Sequence, residues 1–205
     1  MNSDLPKHIA IVPDGNRRWA KGRGKRAWEG HREGVVRFRE VAEEAFRLEI
    51  PYLTFWAASE DNLRKRSRLE IKFLVSLLKQ ELLRTDLRAR LFKNEVSFRL
   101  VGWWDEFIKD SGLKRSVQKL EKETEKFRKR RLTILFGYDG KREVVEAVER
   151  LRERSGKVNF ELIKNHLLTG DLPPVDLVIR TGGDFHWSGG FMMWHTADAQ
   201  LYFTE

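Results

Sequence analysis

Cysteine is absent from the 205-residue sequence, which excludes a disulfide framework and a thiolate metal site. No run of about 18 apolar residues occurs, so the sequence predicts no membrane-spanning helix. The polar N-terminal segment, residues 2–7, lacks the apolar stretch of a secretory signal, and the expected location is therefore the cytoplasm. Repeats, low-complexity tracts and Pro/Gly/Ser linkers are also missing, which favours one domain over residues 1–205.

Positive charge is in excess, with 40 Lys and Arg against 31 Asp and Glu and a net charge of +9. This balance favours anionic partners, which include nucleic acid, a lipid surface and phosphorylated substrates. The nucleic-acid alternative depends on basic runs such as residues 126–131, and no DNA- or RNA-binding motif accompanies them. We therefore expect no nucleic-acid partner, and we expect peripheral contact with an anionic membrane surface.

Short apolar runs alternate with helical patterns along the chain. The runs are bounded by polar or turn residues and predict buried strands, whereas apolar residues every three or four positions predict helices. This alternation indicates an α/β fold with a mainly parallel central sheet flanked by helices. The predicted strands are residues 8–12, 52–57, 97–101, 132–136 and 175–179, and the predicted helices are 34–48, 69–91, 113–127 and 144–151.

Glycines, carboxylates and arginines follow the predicted strands. Ligands of parallel α/β sheets bind outside the carboxyl ends of the strands, so these loops are expected to meet at one edge. In the first loop, Gly15 permits a sharp turn, and the amides after it, with Arg17 and Arg18, suit a phosphate. Asp14 in this loop is either a salt-bridge partner of the arginines or a ligand of Mg²⁺ that a phosphate also holds.

The loop after the last predicted strand has a similar composition. Arg180 ends the strand, and Thr181, Gly182 and Gly183 offer a hydroxyl and two approachable amides. Glycines after a strand often mean only a tight turn. Two anion-binding loops at one sheet edge nevertheless predict two phosphorylated ligands, which is what joining two diphosphates requires.

Five ordered motifs resemble the cis-prenyltransferases, the undecaprenyl diphosphate synthase family. The first is the run from His8 to Ala20 that contains DGNRRWA, and the others are residues 30–34, 59–62, 175–183 and 201–204. The DGNRRWA string is highly specific, and the resemblance covers nearly the whole chain. It implies a hydrophobic tunnel beside the sheet and a Mg²⁺-dependent condensation of isopentenyl diphosphate with an allylic diphosphate primer, farnesyl or geranylgeranyl diphosphate.

The resemblance implies a role for each matching residue. Asp14 would coordinate Mg²⁺ on a diphosphate, and Asn62 would assist removal of the proton lost on condensation, in concert with Ser59 and Asp61. The other implied substrate-binding residues are Gly15, Asn16, Arg17, Arg18 and His31 for the allylic diphosphate, Trp19 beside it, Arg180 and Ser188 with Arg18 for isopentenyl diphosphate, and Glu60, Lys65 and His186 in the adjoining motifs.

Four departures from the family pattern are visible. Ala27 replaces an arginine, Leu63 replaces a tryptophan before Lys65, and Asp184 with His186 replaces a Glu and an Arg. Gln200 stands where the family has a glutamate that joins the metal and substrate site. Most positions still match, so the sequence predicts a divergent enzyme. The alternative is the non-catalytic subunit of a heteromeric cis-prenyltransferase.

The family resemblance also carries an expectation about assembly. Family members usually form homodimers, and they continue past the closing motif through a Trp-Pro stretch into a helical tail. The chain ends at Glu205, before these segments. We therefore expect a homodimer in which the usual C-terminal tail is missing.

Overall fold

A computed structural model describes residues 5–152, 156–188 and 190–205, so part of the polar segment 2–7 lies outside the described residues. The strands are β1 (His8–Val12), β2 (Tyr52–Ser59), β3 (Val96–Val101), β4 (Arg130–Tyr138), β5 (Leu177–Arg180) and β6 (Gln200–Phe203). The helices are α1 (Asn16–Lys21), α2 (Ala27–Arg47), α3 (Glu60–Lys65), α4 (Arg68–Leu82), α5 (Thr85–Lys93), α6 (Trp104–Phe107), α7 (Ser111–Thr124), α8 (Gly140–Leu151) and α9 (Phe160–Lys164).

The six strands form one parallel sheet in the order β3-β4-β2-β1-β5-β6. The predicted α/β fold with a parallel sheet is confirmed. All five predicted strands are present, the first with the predicted ends and the other four with ends shifted by one or two residues. The chain leaves β1 towards β2 and leaves β5 in the opposite direction, towards β6. The loops after β1 and β5 therefore diverge at a topological switch point, where α/β sheets bind ligands.

Alternate side chains of the strands enter two apolar clusters, one on each face of the sheet. Leu132, Ile134 and Phe136 of β4 join the cluster under α2, α4, α5 and α7, whereas Leu135 joins the other; Tyr138 also joins the other, after a register shift at Gly137. This period of two is typical of strands that are covered on both faces. Among the described residues, no helix is long and apolar enough to cross a membrane.

Three expectations about the elements are wrong in detail. The helix predicted for residues 69–91 is two helices, because Arg84 is extended and Asp86 favours a new N-terminus for α5. The helix predicted from residue 34 begins at Ala27. It includes Gly30, where only glycine fits, because a Cβ there would stand 2.0 Å from the Asn16 carbonyl oxygen. Strand β6 was not predicted, since its four residues are largely exposed and show no alternation.

A buried polar chain connects β4, α8 and the segment before β6. The Tyr138 hydroxyl donates to Glu143 Oε2 (2.5 Å), and the Thr169 hydroxyl donates to Glu143 Oε1 (2.8 Å). His195 Nε2 lies 3.0 Å from the Thr169 hydroxyl. Burial, together with the charge of His8, lowers the pKa of His195 to about 4, and burial raises the pKa of Glu143.

The low pKa of His195 predicts a loss of stability in acid. The unfolded chain binds a proton at His195 near pH 6.5, whereas the folded chain does so only near pH 4. The free energy of unfolding should therefore fall by about 3 kcal/mol from this group as pH decreases from 6.5 to 4. Urea denaturation of wild type and His195→Gln at pH 7.5 and 5 tests this, because the glutamine does not titrate. Equal pH slopes of the free energy of unfolding for the two chains would contradict the prediction. The raised pKa of Glu143 changes stability with pH in the opposite direction, but Glu143 is present in both chains.

Candidate active site

The loops after β1 and β5 meet back to back at the switch point. Gly15 has a φ of +91°, and a Cβ on it would lie 2.7 Å from the Gly182 Cα. Gly182 has a φ of +95°, and a Cβ there would lie 2.7 Å from the Asp14 carbonyl carbon and the Gly15 nitrogen. The Thr181 hydroxyl donates to the Asp14 carbonyl oxygen (2.8 Å). The two loops are therefore held in register by contacts that only glycines permit.

Asp14 lies among positive groups and remains partly open to solvent. Its Oδ2 accepts a hydrogen bond from Arg180 Nη2 (2.9 Å), and its Oδ1 accepts one from the Gly15 N–H (2.6 Å). Arg18 Nη2 is 3.4 Å from the same Oδ1. In this state Asp14 has salt-bridge partners, and its 38 % exposure leaves one side of the carboxylate accessible.

Arg180 is the buried guanidinium of the site, with 6 % of its surface exposed. Besides Asp14, it donates from Nη1 to the Ser188 hydroxyl (2.5 Å) and to the His186 carbonyl oxygen (3.0 Å). Its Nε is buried and has no partner among the described residues. A buried charge with an unsatisfied donor is costly unless a ligand compensates it, which favours an anion beside Arg180.

A second group of polar side chains lies on α2, α3 and α4. The Ser59 hydroxyl accepts from the Asn62 N–H (3.0 Å) and so caps α3, while the Asn62 side-chain oxygen accepts from Arg66 Nη2 (3.1 Å). Glu70 is shared, because its Oε1 lies 3.1 Å from His31 Nε2 and 3.5 Å from Arg66 Nε. These contacts tie the Asn62 amide and the His31 ring to one fixed frame.

The charge states of this second group follow from burial. Burial lowers the pKa of His31 more than Glu70 raises it, and Arg66 and Arg17 lower it further, so the ring is neutral at pH 7. Burial also lowers the pKa of Arg66, but from so high a value that the guanidinium stays charged. Arg66 therefore supplies the positive charge on this side of the site.

One cavity of about 780 Å³ connects both groups with the apolar space between the sheet and the helices. Its polar end contains the two loops, His31, Asn62 and Arg66, and its apolar length runs along α2 and α4 to α5. Such a volume is in the upper part of the range for ligand sites. The apolar lining includes Val35, Phe38, Ala42, Phe46, Phe55, Leu74, Leu77, Leu78, Leu82, Leu87, Leu91, Phe98, Leu132, Ile134 and Phe136.

Most residues that the sequence predicted for the site line this cavity. They are Asp14, Gly15, Asn16, Arg17, Arg18, His31, Ser59, Asn62, Arg180 and Ser188. The cavity thus brings together residues that are up to 174 positions apart in the chain, from Asp14 to Ser188. Five predicted substrate-binding residues, namely Trp19, Glu60, Asp61, Lys65 and His186, do not line it.

Three of these five residues belong to the motif of α3 and point elsewhere. Glu60 is buried and accepts from Arg64 Nε (2.9 Å) and from Arg142 Nη1 (3.2 Å). Asp61 and Lys65 form an exposed ion pair at 2.9 Å, four residues apart on the same helix. Glu60 therefore joins α3 to α8, and the Asp61–Lys65 pair lies in solvent.

The remaining two lie at the rim. Trp19 is covered by the Arg23 guanidinium at 4.6 Å and by the Lys25 ammonium at 5.3 Å from its ring centroid. The His186 side chain is exposed, and only its backbone carbonyl contacts Arg180. Neither side chain contacts the cavity in this arrangement.

Arg66 is a site residue that the sequence did not predict. The family motif implied Lys65 as the substrate-binding cation, whereas the structure places the next residue, Arg66, in the cavity. Arg66 is the C-cap of α3 and has an extended backbone, with φ −76° and ψ 153°. The sequence signal was its spacing of four from Asn62, which places two side chains on one face of a helix.

Replacing Arg66 tests its place in the site. We expect Arg66→Gln to raise KM for a diphosphate ligand by about tenfold to 100-fold, because a charge-assisted bond is worth about 1.5–3 kcal/mol. Lys65→Gln is the matched control, since it removes the adjacent charge outside the cavity and should leave KM unchanged. Equal effects of the two substitutions on KM would contradict the prediction that Arg66, and not Lys65, supplies the positive charge that binds the diphosphate.

Gln200 does not reach the site within its own chain, contrary to expectation. It begins β6 opposite Leu177, which itself pairs with Ile9 of β1. Asp14 lies five residues beyond Ile9, which is about 16 Å along the strand direction at roughly 3.3 Å per residue. The closing motif ends near the rim only at Thr204, whose carbonyl oxygen accepts from the Gly183 N–H (3.1 Å).

The donor set for Mg²⁺ is small. Within the described residues, no group of three His, Asp or Glu side chains could hold a metal ion. Asp14 contributes one carboxylate with an open side, next to loops that suit phosphate. This fits Mg²⁺, which is commonly bound by one or two carboxylates with substrate phosphates and water as the other ligands.

The fold and the site define an α/β protein with loops that suit anions at a switch point and an apolar cavity that adjoins them. Comparison with known proteins narrows this class. The undecaprenyl diphosphate synthase family model matches residues 12–205. The isoprenyl transferase of Helicobacter hepaticus is 34 % identical over 213 residues, with 100 % of this chain and 87 % of the relative covered.

Other proteins similar to this chain are also prenyl diphosphate synthases. The Vibrio parahaemolyticus ditrans,polycis-undecaprenyl-diphosphate synthase, specific for (2E,6E)-farnesyl diphosphate, is 36 % identical, with 99 % of this chain and 81 % of the relative covered. The lavandulyl diphosphate synthase of Lavandula x intermedia, solved with dimethylallyl diphosphate, has a TM-score of 0.89 at 28 % identity, covering 97 % of this chain and 86 % of that one. The chain belongs to the undecaprenyl diphosphate synthase family and is a prenyl transferase.

Proposed function

We propose that this chain condenses isopentenyl diphosphate with an allylic diphosphate, farnesyl or geranylgeranyl diphosphate, and makes a Z-polyprenyl diphosphate. The observation that carries the proposal is the single cavity that joins two arginine-containing loops to a long apolar space. A polyprenyl diphosphate has the same two parts, an anionic head and a hydrocarbon tail. Relatives specific for farnesyl and for geranylgeranyl diphosphate support either primer.

Each of the two loops binds one of the two diphosphate substrates. The amides after Gly15, with Arg17 and the neutral His31, hold the allylic diphosphate at the start of α1. Arg180 and Ser188, with Arg18, hold isopentenyl diphosphate. Binding both reactants in one cavity converts their encounter into a reaction within a complex, which removes much of the entropic barrier.

The reaction breaks the bond between the allylic carbon and its diphosphate, forms a carbon–carbon bond to isopentenyl diphosphate and releases a proton. Positive groups beside the leaving diphosphate stabilise its developing charge, which is commonly the largest catalytic contribution. The Asn62 side-chain amide, whose oxygen accepts from Arg66 while Ser59 holds the Asn62 backbone N–H, would orient the acceptor of the released proton. The apolar walls exclude water from the allylic centre.

Asp14 would hold Mg²⁺ together with substrate phosphate oxygens. When bound, the ion supplies Lewis-acid stabilisation of the departing diphosphate. Asp14 must then exchange part of its contact with Arg180, which becomes free to donate to a phosphate. We also propose that the chain forms a homodimer and acts in the cytoplasm. It makes peripheral contact with a membrane surface, to which its lipid product goes.

Elongation of a primer tests the function. The purified chain is incubated with farnesyl or geranylgeranyl diphosphate, labelled isopentenyl diphosphate and Mg²⁺, and the extracted products are sized. We expect Z-polyprenyl products with Mg²⁺ and none with excess EDTA. A chain that binds isopentenyl diphosphate by calorimetry but elongates neither primer would instead be the non-catalytic subunit, and a chain that does neither would refute the proposal.

A further inference from the structure

The far half of the cavity has a wall of charged side chains. Phe38, Ala42 and Phe46 of α2 face the cavity, as expected for an apolar tunnel, but Arg39 and Glu43 of the same helix also line it. Arg39 and Glu43 are four residues apart and so form a second stripe along the helix. This stripe borders the gap between α2 and the pair α4–α5.

Two ion pairs bridge that gap, and we call them the ion-pair seam. Arg39 donates from Nε to Glu81 Oε2 (2.8 Å) and from Nη2 to Glu81 Oε1 (2.5 Å), a bidentate contact between α2 and α4. Glu43 pairs with Arg90, which connects α2 with α5. All four side chains line the cavity, so the seam forms part of its wall.

The seam is more exposed to solvent than the apolar part of this wall. Arg39 and Glu81 are 31 % and 21 % exposed, and Arg90 and Glu43 are more exposed. Charges that separate in contact with solvent regain water, whereas a displaced buried Leu or Phe loses its apolar contacts. Parting the seam therefore costs less than displacing the buried Phe98, Leu132 or Ile134 of the sheet.

The position of the seam gives it a relation to hydrocarbon length. Along α2, Arg39 lies about 12 Å and Glu43 about 18 Å beyond His31 at 1.5 Å per residue. A tail that grows from the diphosphate end along α2 passes Phe38 and then runs beside these charges. Leu83, two residues after Glu81 at the junction of α4 and α5, is 68 % exposed and is an apolar surface near this end of α4.

We propose that the ion-pair seam is a lateral gate that limits product length: closed, it stops elongation, and parted, it lets the tail leave between α2 and α4–α5. The proposal rests on the proposed function. It makes Arg39 and Glu81 specificity-determining residues of this chain, at a distance from the reacting atoms. The gate acts on the hydrocarbon only, so the first condensation does not depend on it.

Breaking the pair while keeping side-chain size tests the gate. Arg39→Gln and Glu81→Gln are expected to shift the product maximum to longer chains, with the rate of the first condensation within about twofold of wild type. The charge exchange Arg39→Glu/Glu81→Arg should restore the wild-type product lengths. Arg37→Gln is the control, because Arg37 pairs with Glu33 and Glu40 on the exposed side of the same helix.

The outcomes separate the gate from the function itself. Absence of elongation by the wild-type chain with either primer would overturn the proposed function and the gate with it. Normal elongation with unchanged product lengths in both single variants would overturn the gate alone. If a single variant fails to fold, as judged by its thermal transition, the double variant Arg39→Glu/Glu81→Arg is measured in its place. Longer products from this double variant would contradict the pairing argument, because its ion pair is kept.

Discussion

Asp14→Ala is expected to lower kcat for chain elongation by about 10³-fold, the loss typical of removing a main electrostatic contributor to a transition state. Asp14 offers the open carboxylate among the anion-binding loops, and Mg²⁺ bound there would stabilise the departing diphosphate. Its loss also frees Arg180 and Arg18, so the affinity for diphosphates should be maintained or increased. Steady-state kinetics with calorimetry of diphosphate binding separates these two effects.

A neighbouring carboxylate provides the control for Asp14. Asp184 accepts from Arg18 Nη1 at 2.6 Å, and the bond to Arg18 lowers the pKa of Asp184. Asp184→Ala removes the same charge from the same rim but does not touch Arg180. We expect only a small change in kcat from it. Turnover by Asp14→Ala close to that of Asp184→Ala would show that Asp14 is a salt-bridge partner without a metal role.

Gly182→Ala is expected to reduce kcat/KM by about 100-fold, the effect of misplacing a catalytic group by roughly 1 Å. A Cβ at this position would stand 2.7 Å from the Asp14 carbonyl carbon and the Gly15 nitrogen, so the two loops must separate. The positive φ of Gly182 adds backbone strain. Separation moves Asp14 away from Arg180, and both diphosphate sites lose their mutual position.

Gly183→Ala is the matched control for this separation. Gly183 also has a positive φ, +73°, but nothing lies within 4 Å of a Cβ built there. It therefore imposes the strain without the collision, and its kcat/KM should stay much closer to wild type. Equal losses in both variants would attribute the effect to backbone strain, and the close approach of the two loops would then be unimportant for catalysis.

The strands and the polar rim could be predicted because their signals are local. Apolar runs end at residues 12 and 179, and the loops with Asp14 and Gly182 follow shortly after them. Once the runs are identified as parallel strands, the carboxyl ends must share an edge, which brings these two loops together. Strand β6 gave no such signal, since three of its four residues are exposed.

The side-chain directions could not be predicted in the same way. Lys65 and Arg66 are adjacent in sequence, and the end of α3 turns one into solvent and the other into the cavity. Glu60 belongs to a site motif but is drawn to Arg142 of α8, 82 residues away. Each outcome depends on which partner the packing of helices makes available, and a motif does not contain that information.

The sequence by itself determined the parallel α/β fold, the family and the two loops that contain glycine and arginine at the sheet edge, because periodicity and short motifs are properties of neighbouring residues. The tertiary structure decided which charges face the cavity, how far Gln200 lies from Asp14, and that Arg39 pairs with Glu81 in its wall. These are distances between segments that are far apart in the chain. The packing of the helices against the sheet sets these distances, and an ion pair between two segments forms only where packing brings the two charges together.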